Sequence, residues 1–343
     1  MKQTLEKLIA GQSLTTAESA EAMGSLMDGN VPPSQIGAFL TALRIKGETV
    51  DEITGFAEAM RARSLRVTTH RSPLVDTCGT GGDKVKTFNI STASAFVVAA
   101  GGVPVAKHGN RSVTSKCGSA DVLEALGVRL DLVPEAVAHC IDTVGIGFLF
   151  ARSHHPAMKY AAPIRAELGF RTVFNLLGPL TNPAGATRQV IGVYDALLCE
   201  PLAQVLGRLG AERVLVVHGE PGLDEISTMG TTTVAELRDG AVTTYPLTPT
   251  ELHLATADPE SLIAGETPEA NAHLLRSVLG GTSSQAQREI VLANAAAAFY
   301  VAGVVENLGA GVAKAEAVIT SGSANAKLDE FIAFTQKLGA ASA

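Results

Sequence analysis

Over the first 70 residues apolar positions recur at helical spacing, and beyond them the period shortens. Pro32-Pro33-Ser34 reads as a helix entry. Ile36, Phe39, Leu40 and Leu43 follow on one helical face, and Gly47 reads as the stop. Thr15 and Thr49 each precede a glutamate, Glu18 and Glu52, at the spacing of a capping box. From Leu74 onward, short apolar runs alternate with helical ones. Strands are predicted at Leu74–Cys78, Val103–Ala106, Ile146–Phe150, Val190–Tyr194 and Val214–Val217. Helices are predicted at Ser91–Ala100, Ser119–Leu126 and Pro134–Val144. Repeated strand-loop-helix units predict a mostly parallel sheet covered by helices on both faces. Arg238-Asp239-Gly240 reads as a hairpin turn between Val234–Leu237 and Val242–Tyr245. The chain is predicted to be mostly helical from Pro268, with a frayed Ala-rich tail after Leu338. The fold class is α/β: a small all-helical domain over residues 1–70, with part of 165–185 packed on it, and a larger α/β domain over 71–343.

Composition narrows this picture. Hydrophobic residues make up 46% and aromatics only 4%, with no Trp, so Ala, Val, Ile and Leu must fill the core. A net charge of −7 argues against a broad basic face, hence against a nucleic-acid partner. Cys78, Cys117, Cys140 and Cys199 form no C-x-x-C pair and read as reduced thiols. The N-terminal stretch MKQTLEKLIAGQS has no apolar run of signal-peptide length. The apolar run Ile290–Val305 contains Asn294, Tyr300 and Gly303, and falls short of the ~20 residues a membrane span requires. It reads as a buried helix, and the protein as cytoplasmic with no membrane partner.

Three segments carry candidate chemistry. Gly79-Thr80-Gly81-Gly82-Asp83 follows a predicted strand, and Asn89-Ile90-Ser91-Thr92 then opens a helix. Glycines let backbone N–H groups approach an anion, and a helix N-terminus adds orphan donors. The spacing is neither a Walker loop nor a Rossmann fingerprint, since Lys84 stands where the third glycine would be. Taken singly, the same residues would serve as a turn and an N-cap. The second segment is Lys107-His108-Gly109-Asn110-Arg111-Ser112-Val113-Thr114-Ser115, read as a loop after the strand Val103–Ala106. Its two cations, amide and three hydroxyls suit a polyanion, or a merely solvated loop. The third is Asp224-Glu225, soon after Val214–Val217. Adjacent carboxylates there suit a hard cation such as Mg²⁺, or an exposed acidic pair. If the three strands are parallel neighbours, all three segments face one crevice at their carboxyl ends.

The segments DTCGTGGDKVKTFNIST (76–92) and KHGNRSVTSKCGSAD (107–121) resemble the substrate loops of the anthranilate phosphoribosyltransferase family. So do QIGAFLTALRIKGETVDEI (35–53), HHPAMKYAAPIRAELGFRTVFNLLGPLTNPA (154–184), HGEPGLDEIS (218–227) and NAAAAFYVAG (294–303). The resemblance implies a nucleoside phosphorylase-like helical-plus-α/β architecture and a homodimer. It implies that Gly79, Gly82, Asp83, Thr87, Asn89, Ile90, Ser91, Thr92, Lys107, His108, Gly109, Asn110, Arg111, Ser112, Val113, Thr114, Ser115 and Ser119 bind phosphoribosyl pyrophosphate. It further implies Mg²⁺ at Ser91, Asp224 and Glu225, two ions per monomer, and anthranilate at Gly79, Asn110 and Arg165. Thr114 and Cys117 depart from the usual Ser, and Ala151-Arg152-Ser153 from the usual Ala-Pro segment.

The implied reaction is transfer of 5-phosphoribosyl to the anthranilate amine with release of pyrophosphate, a step of tryptophan biosynthesis. The neutral aryl amine requires no strong base, so no catalytic residue is assigned, and His108, His154 and His155 read as structural or substrate-packing groups. Two other classes share the architecture. A pyrimidine nucleoside phosphorylase would carry a Lys-His-Ser-Thr-Gly-Gly-type loop, which is missing here. A non-catalytic nucleic-acid-binding paralogue fits poorly with the net charge of −7 and the intact Asp224-Glu225 pair.

Overall fold

The computed structural model describes residues 1–82, 84–112 and 117–341. Four helices open the chain: α1 (Lys2–Ile9), α2 (Thr16–Met27), α3 (Pro33–Lys46) and α4 (Val50–Ala62). Both predicted capping boxes form, Thr15 with Glu18 and Thr49 with Glu52. Glu52 is fully buried and also accepts the Leu14 N–H at 3.0 Å and the Lys46 ammonium at 2.8 Å. One carboxylate thereby satisfies donors from three parts of the bundle, as a buried charge requires. Phe39 and Phe56 meet edge-on at 5.7 Å in the bundle core. Truncating either to Ala would cost about 3–5 kcal/mol.

The rest is built on one seven-stranded sheet: β1 (Val75–Asp76), β2 (Val105–Gly109), β3 (Ile146–Phe150), β4 (Arg188–Gly192), β5 (Arg213–Gly219), β6 (Thr232–Arg238) and β7 (Ala241–Leu247). The order is β3-β2-β1-β4-β5-β6-β7; β3 to β5 are parallel, and β6 and β7 antiparallel. Asp239 and Gly240 turn the β6–β7 hairpin at φ of 52° and 79°, the left-handed pair of a type I′ turn. The helices are α5 (Ile90–Ala100), α6 (Ser119–Ala125), α7 (Pro134–Val144), α8 (Ala151–His154), α9 (Ala162–Leu168), α10 (Phe174–Leu180), α11 (Cys199–Arg208), α12 (Pro268–Leu279), α13 (Gln285–Ala302), α14 (Leu308–Thr320) and α15 (Ser323–Ala341). The molecule is thus a helical N-terminal domain with a larger α/β domain whose sheet is mostly parallel.

Alternation along the strands divides the apolar residues between two cores. Leu215 and Val217 face the core of α5 and α13, whereas Val214 and Val216 face the one that also holds Phe39, Phe56 and α11. The N-terminal helices therefore share a core with one face of the sheet. α10 is locked into the same region through its terminal carbonyls, which have no partners within the helix. Gly178 O is bonded to the His108 ring at 3.0 Å; Pro179 O accepts from Gln189 at 3.1 Å, and Leu180 O from Arg61 at 2.7 Å.

Several expected boundaries move. β1 is only Val75–Asp76, whereas β2 runs to Gly109. Lys107, His108 and Gly109 are therefore strand residues and not part of a loop, because all five β2 residues pair in register with β3, from Val105↔Ile146 to Gly109↔Phe150. Pro156 opens a 3-10 turn, Pro156–Tyr160, and α9 follows it. The tail expected to fray continues α15 to Ala341. The apolar run after Ile290 lies in α13 and is buried, and among the described residues no helix is long and apolar enough to cross a membrane.

Candidate functional site

Strand order across the sheet reverses between β1 and β4: β2 and β3 extend one side of β1, and β4 and β5 the other. Such a switch point opens a crevice at the carboxyl ends of the strands. The glycine-rich loop after β1 leans across it. Thr80 N–H donates to Gly192 O at the end of β4 at 2.8 Å, and Tyr194 N–H donates back to Thr80 Oγ1 at 3.2 Å.

The three predicted strands are not all neighbours, because β4 lies between β1 and β5. The segment after β5 nevertheless reaches the loop after β1, and Gly192 is the reason. A Cβ on Gly192 would fall 1.5 Å from the Asp224 carbonyl oxygen, so only glycine lets this backbone cross the end of β4. Asp224 Oδ2 then accepts the Gly81 N–H at 2.7 Å and lies 2.7 Å from where a Gly79 Cβ would be. Glu225 Oε1 accepts the Ser91 N–H at 3.1 Å, in the first turn of α5. Asn89 makes no N-cap bond; its Nδ2 donates to Cys117 O at 3.2 Å and ties the first segment to the second. Thr92 Oγ1 is buried without a partner. Ile90 is buried behind these donors, and Thr87 bridges to Ile263.

Glu225 is the carboxylate that the fold strains electrostatically. Burial, and then the charge of Asp224, push the Glu225 carboxyl up to about 8. Lys107 is the nearest counterweight: it is buried, donates to Thr77 O at 2.9 Å, and lowers both Glu225 and Asp76. A hard divalent cation fits such a surplus of negative oxygen donors. No cluster of three or more acidic, His or Cys ligands occurs among the described residues; the groups there that could hold such a cation are the Asp224 and Glu225 carboxylates and the Ser91 hydroxyl beside Glu225. That open donor set suits Mg²⁺, which completes its shell with water and phosphate oxygens.

The second segment divides. Arg111 turns away from the crevice: its guanidinium pairs with Asp121 at 2.9 Å and Glu124 at 2.8 Å, and lies over the Phe150 ring. Ser112 and Gly118 N–H groups also donate to Asp121, at 3.1 and 2.8 Å, and Ser119 Oγ donates to Asn110 O at 3.2 Å. A Cβ on Gly109 would fall 2.4 Å from Ser119 Oγ, so the strand end and α6 are in close contact. Of the two cations read as an anion grip, one is a strand residue facing the carboxylates, and the other already has two acid partners. Asp83, Val113, Thr114 and Ser115 lie outside the described residues.

The His108 and His155 rings meet in the interior with centroids 5.2 Å apart, tilted by 56°. Burial first lowers both; next, His155 lowers His108, and His154 lowers His155, which falls to about 4. Neutral rings cannot serve as proton donors of the imidazolium kind. Arg165, on α9, lies over the Phe174 ring at 5.2 Å and makes no ion pair with Glu167 or any other described carboxylate. No hydrogen bond among the described residues joins it to Gly79 or Asn110. Motif reading overlooked Gly192, Arg171 and the buried Asp76–Asn182 pair (2.7 Å) that braces β1 against the segment after α10. Gly192 had a signal, a glycine ending an apolar strand; the other contacts had none.

These features define a class of transferase. The chain matches the family described as "Glycosyl transferase family, a/b domain" over residues 71–325, and its "helical bundle domain" over residues 2–64. It is 55% identical over 340 residues to an anthranilate phosphoribosyltransferase of Moorella thermoacetica, covering 99% of this chain and 100% of the relative. The structure of the Thermus thermophilus anthranilate phosphoribosyltransferase superposes with a TM-score of 0.92 at 48% identity, over 97% of this chain and 99% of that one. That of Saccharomyces cerevisiae, in complex with PRPP and Mg, gives 0.88 at 28% identity, over 98% and 97%. The chain belongs to the anthranilate phosphoribosyltransferase family.

Proposed function

We propose that this protein transfers the 5-phosphoribosyl group of phosphoribosyl pyrophosphate to the amine of anthranilate, giving N-(5-phosphoribosyl)anthranilate and pyrophosphate, with Mg²⁺ as its cofactor. The observation that carries the reading is the convergence of Asp224 on Gly81 N–H and Glu225 on Ser91 N–H at the switch point of the sheet. Backbone donors and carboxylates placed side by side suit a magnesium diphosphate: the carboxylates, which accept these N–H groups here, would hold the cation, and the N–H groups would then be left for phosphate oxygens. Bound there, Mg²⁺ would offset the charge that collects on the departing pyrophosphate.

The chain's own part is positional and electrostatic. Glycine-loop and α5 N–H groups hold the leaving group, and Lys107 supplies fixed positive charge beneath them. Arg165, which has no acid partner among the described residues, has its fork available for the acceptor carboxylate. The acceptor amine, neutral at pH 7, attacks ribose C1 as the bond to pyrophosphate breaks, and its extra proton passes to solvent or to the departing pyrophosphate. Holding both substrates in line supplies much of the remaining acceleration. The finer assignments belong to the same reading: the substrate-loop residues including Asp83 and Val113–Ser115, though not the Arg111 guanidinium, which is paired with Asp121 and Glu124; two Mg²⁺ per monomer; a homodimer; a cytoplasmic location; and a domain boundary near residue 70. The shared core of α4, α10 and α11 supports packing of part of 165–185 on the helical domain.

The test is direct. Incubated with phosphoribosyl pyrophosphate, Mg²⁺ and a panel of amines and nucleobases, the protein should give one phosphoribosylated product, that of anthranilate, by mass. Labelling of a nucleobase instead, or no product with any acceptor, would refute the reading.

A further inference from the structure

The glycine turn is held from outside by Arg171, in the stretch between α9 and α10. Its Nη2 donates to the Gly82 carbonyl at 2.8 Å, and the same guanidinium lies 4.1 Å from the centre of the Tyr194 ring. Tyr194 stands two residues past β4, and its backbone N–H reaches Thr80 Oγ1 at 3.2 Å. The contacts close a ring through Gly82, Arg171, Tyr194 and Thr80. Thr80 fixes one half of the turn to the end of β4, and Arg171 fixes the other half to the same place.

The fit is close. Gly82 has φ +85°, and a Cβ there would fall 2.4 Å from Arg171 Nη2. No carboxylate among the described residues pairs with Arg171. Its charge is thus kept beside the turn by a neutral carbonyl and a ring face, and adds positive potential where an anion would bind. A lysine could reach the carbonyl but could not lie flat on the ring while doing so.

We propose that Arg171 is a positioning residue for the donor loop: stacked on Tyr194, it holds the Gly82 carbonyl so that the loop N–H groups are preset for the diphosphate of the donor sugar. The proposal rests on the crevice being the phosphoribosyl pyrophosphate site, and the test separates the two. Calorimetry of phosphoribosyl pyrophosphate with Mg²⁺ is run on wild type, Arg171→Ala, Arg171→Lys, Tyr194→Phe and Tyr194→Ala, with steady-state kinetics and melting curves for each. Arg171→Ala should weaken binding on the order of tenfold or more and raise KM for phosphoribosyl pyrophosphate in parallel, while KM for anthranilate stays within about twofold. Arg171→Lys should recover only part of the loss. Tyr194→Phe, which keeps the ring, should bind as wild type does, and Tyr194→Ala should resemble Arg171→Ala. A folded Arg171→Ala with wild-type affinity overturns the proposal. If that variant does not fold, wild-type affinity in both Arg171→Lys and Tyr194→Ala overturns it equally. A parallel rise in both Michaelis constants would make Arg171 a general structural residue and also overturn it. A wild type that does not bind phosphoribosyl pyrophosphate refutes the functional reading itself.

Discussion

The segments that follow β1 and β2 read alike in the sequence, each a cluster of polar and small residues suited to an anion, yet they use their charges in opposite ways. The loop after β1 has no side-chain cation between Gly79 and Gly82; what it presents is backbone, with the Gly81 N–H on Asp224 and, at the start of α5, the Ser91 N–H on Glu225. The segment from Lys107 has two cations, but Lys107 is buried in the strand facing those carboxylates, whereas Arg111 is committed to Asp121 and Glu124. A cation in a motif is therefore not yet a ligand group. What counts is whether the fold has already matched it with an acid.

That contrast can be broken most forcefully at the carboxylates. Asp224→Asn or Glu225→Gln should lower kcat on the order of 10²–10³-fold, the scale of losing a main electrostatic contact in a transition state. The same variants should shift the Mg²⁺ dependence while leaving the melting curve near wild type. Wild-type rates across a magnesium titration would remove the metal site from this pair.

Lys107 and Arg111 give the next comparison. Lys107→Met leaves Asp76, which burial already pushes up to about 6, without its nearest positive charge. Removing one partner of a buried charge set costs on the order of 3 kcal/mol, to be read from urea unfolding. A loss below about 1 kcal/mol would show that Lys107 is not part of that balance.

Arg165, over the Phe174 ring, has no hydrogen bond to either segment among the described residues and serves as a control on them. Arg165→Ala should raise KM for anthranilate by about 2–3 kcal/mol in apparent binding energy and leave affinity for phosphoribosyl pyrophosphate unchanged. Arg165→Lys should recover only part, since an ammonium cannot make the planar two-point contact. Equal anthranilate kinetics in wild type and Arg165→Ala would take Arg165 out of the acceptor site.

The smallest effect belongs to Arg111. Arg111→Met should change affinity for phosphoribosyl pyrophosphate by less than about 1 kcal/mol, as expected for a partly exposed ion pair. Its trace should appear in acid instead. Burial raises Asp121, but the Ser112 and Gly118 N–H groups and Arg111 outweigh it and hold the carboxyl below its ordinary value. A depressed carboxyl stabilises the fold above the unfolded value near pH 3.9, and that contribution is lost as pH falls through the folded value. Asp121→Asn should therefore flatten the loss of melting temperature below about pH 4. An unchanged acid limb would show that Asp121 is no more stabilised in the fold than in the unfolded chain.

Local pattern was enough for much of this molecule. Capping at Thr15 and Thr49, the hairpin at Asp239-Gly240, the alternation of strands and helices, and the buried helix after Ile290 follow from contacts made within a few residues, which sequence spacing encodes directly. The motif segments also indicated the chemistry, because N–H donors, carboxylates and hydroxyls are residue types before they are positions. Tertiary structure alone decided which of them meet. Lys107 became a strand residue because β3 pairs with it; Arg111 was withdrawn by acids of α6; and Asp224 crossed β4 because Gly192 has no side chain. Arg171 reaches Gly82 across 89 residues of chain. Pairings at such separations depend on strand order and on which atoms the packing leaves room for, and neither quantity is a property of a local stretch of sequence.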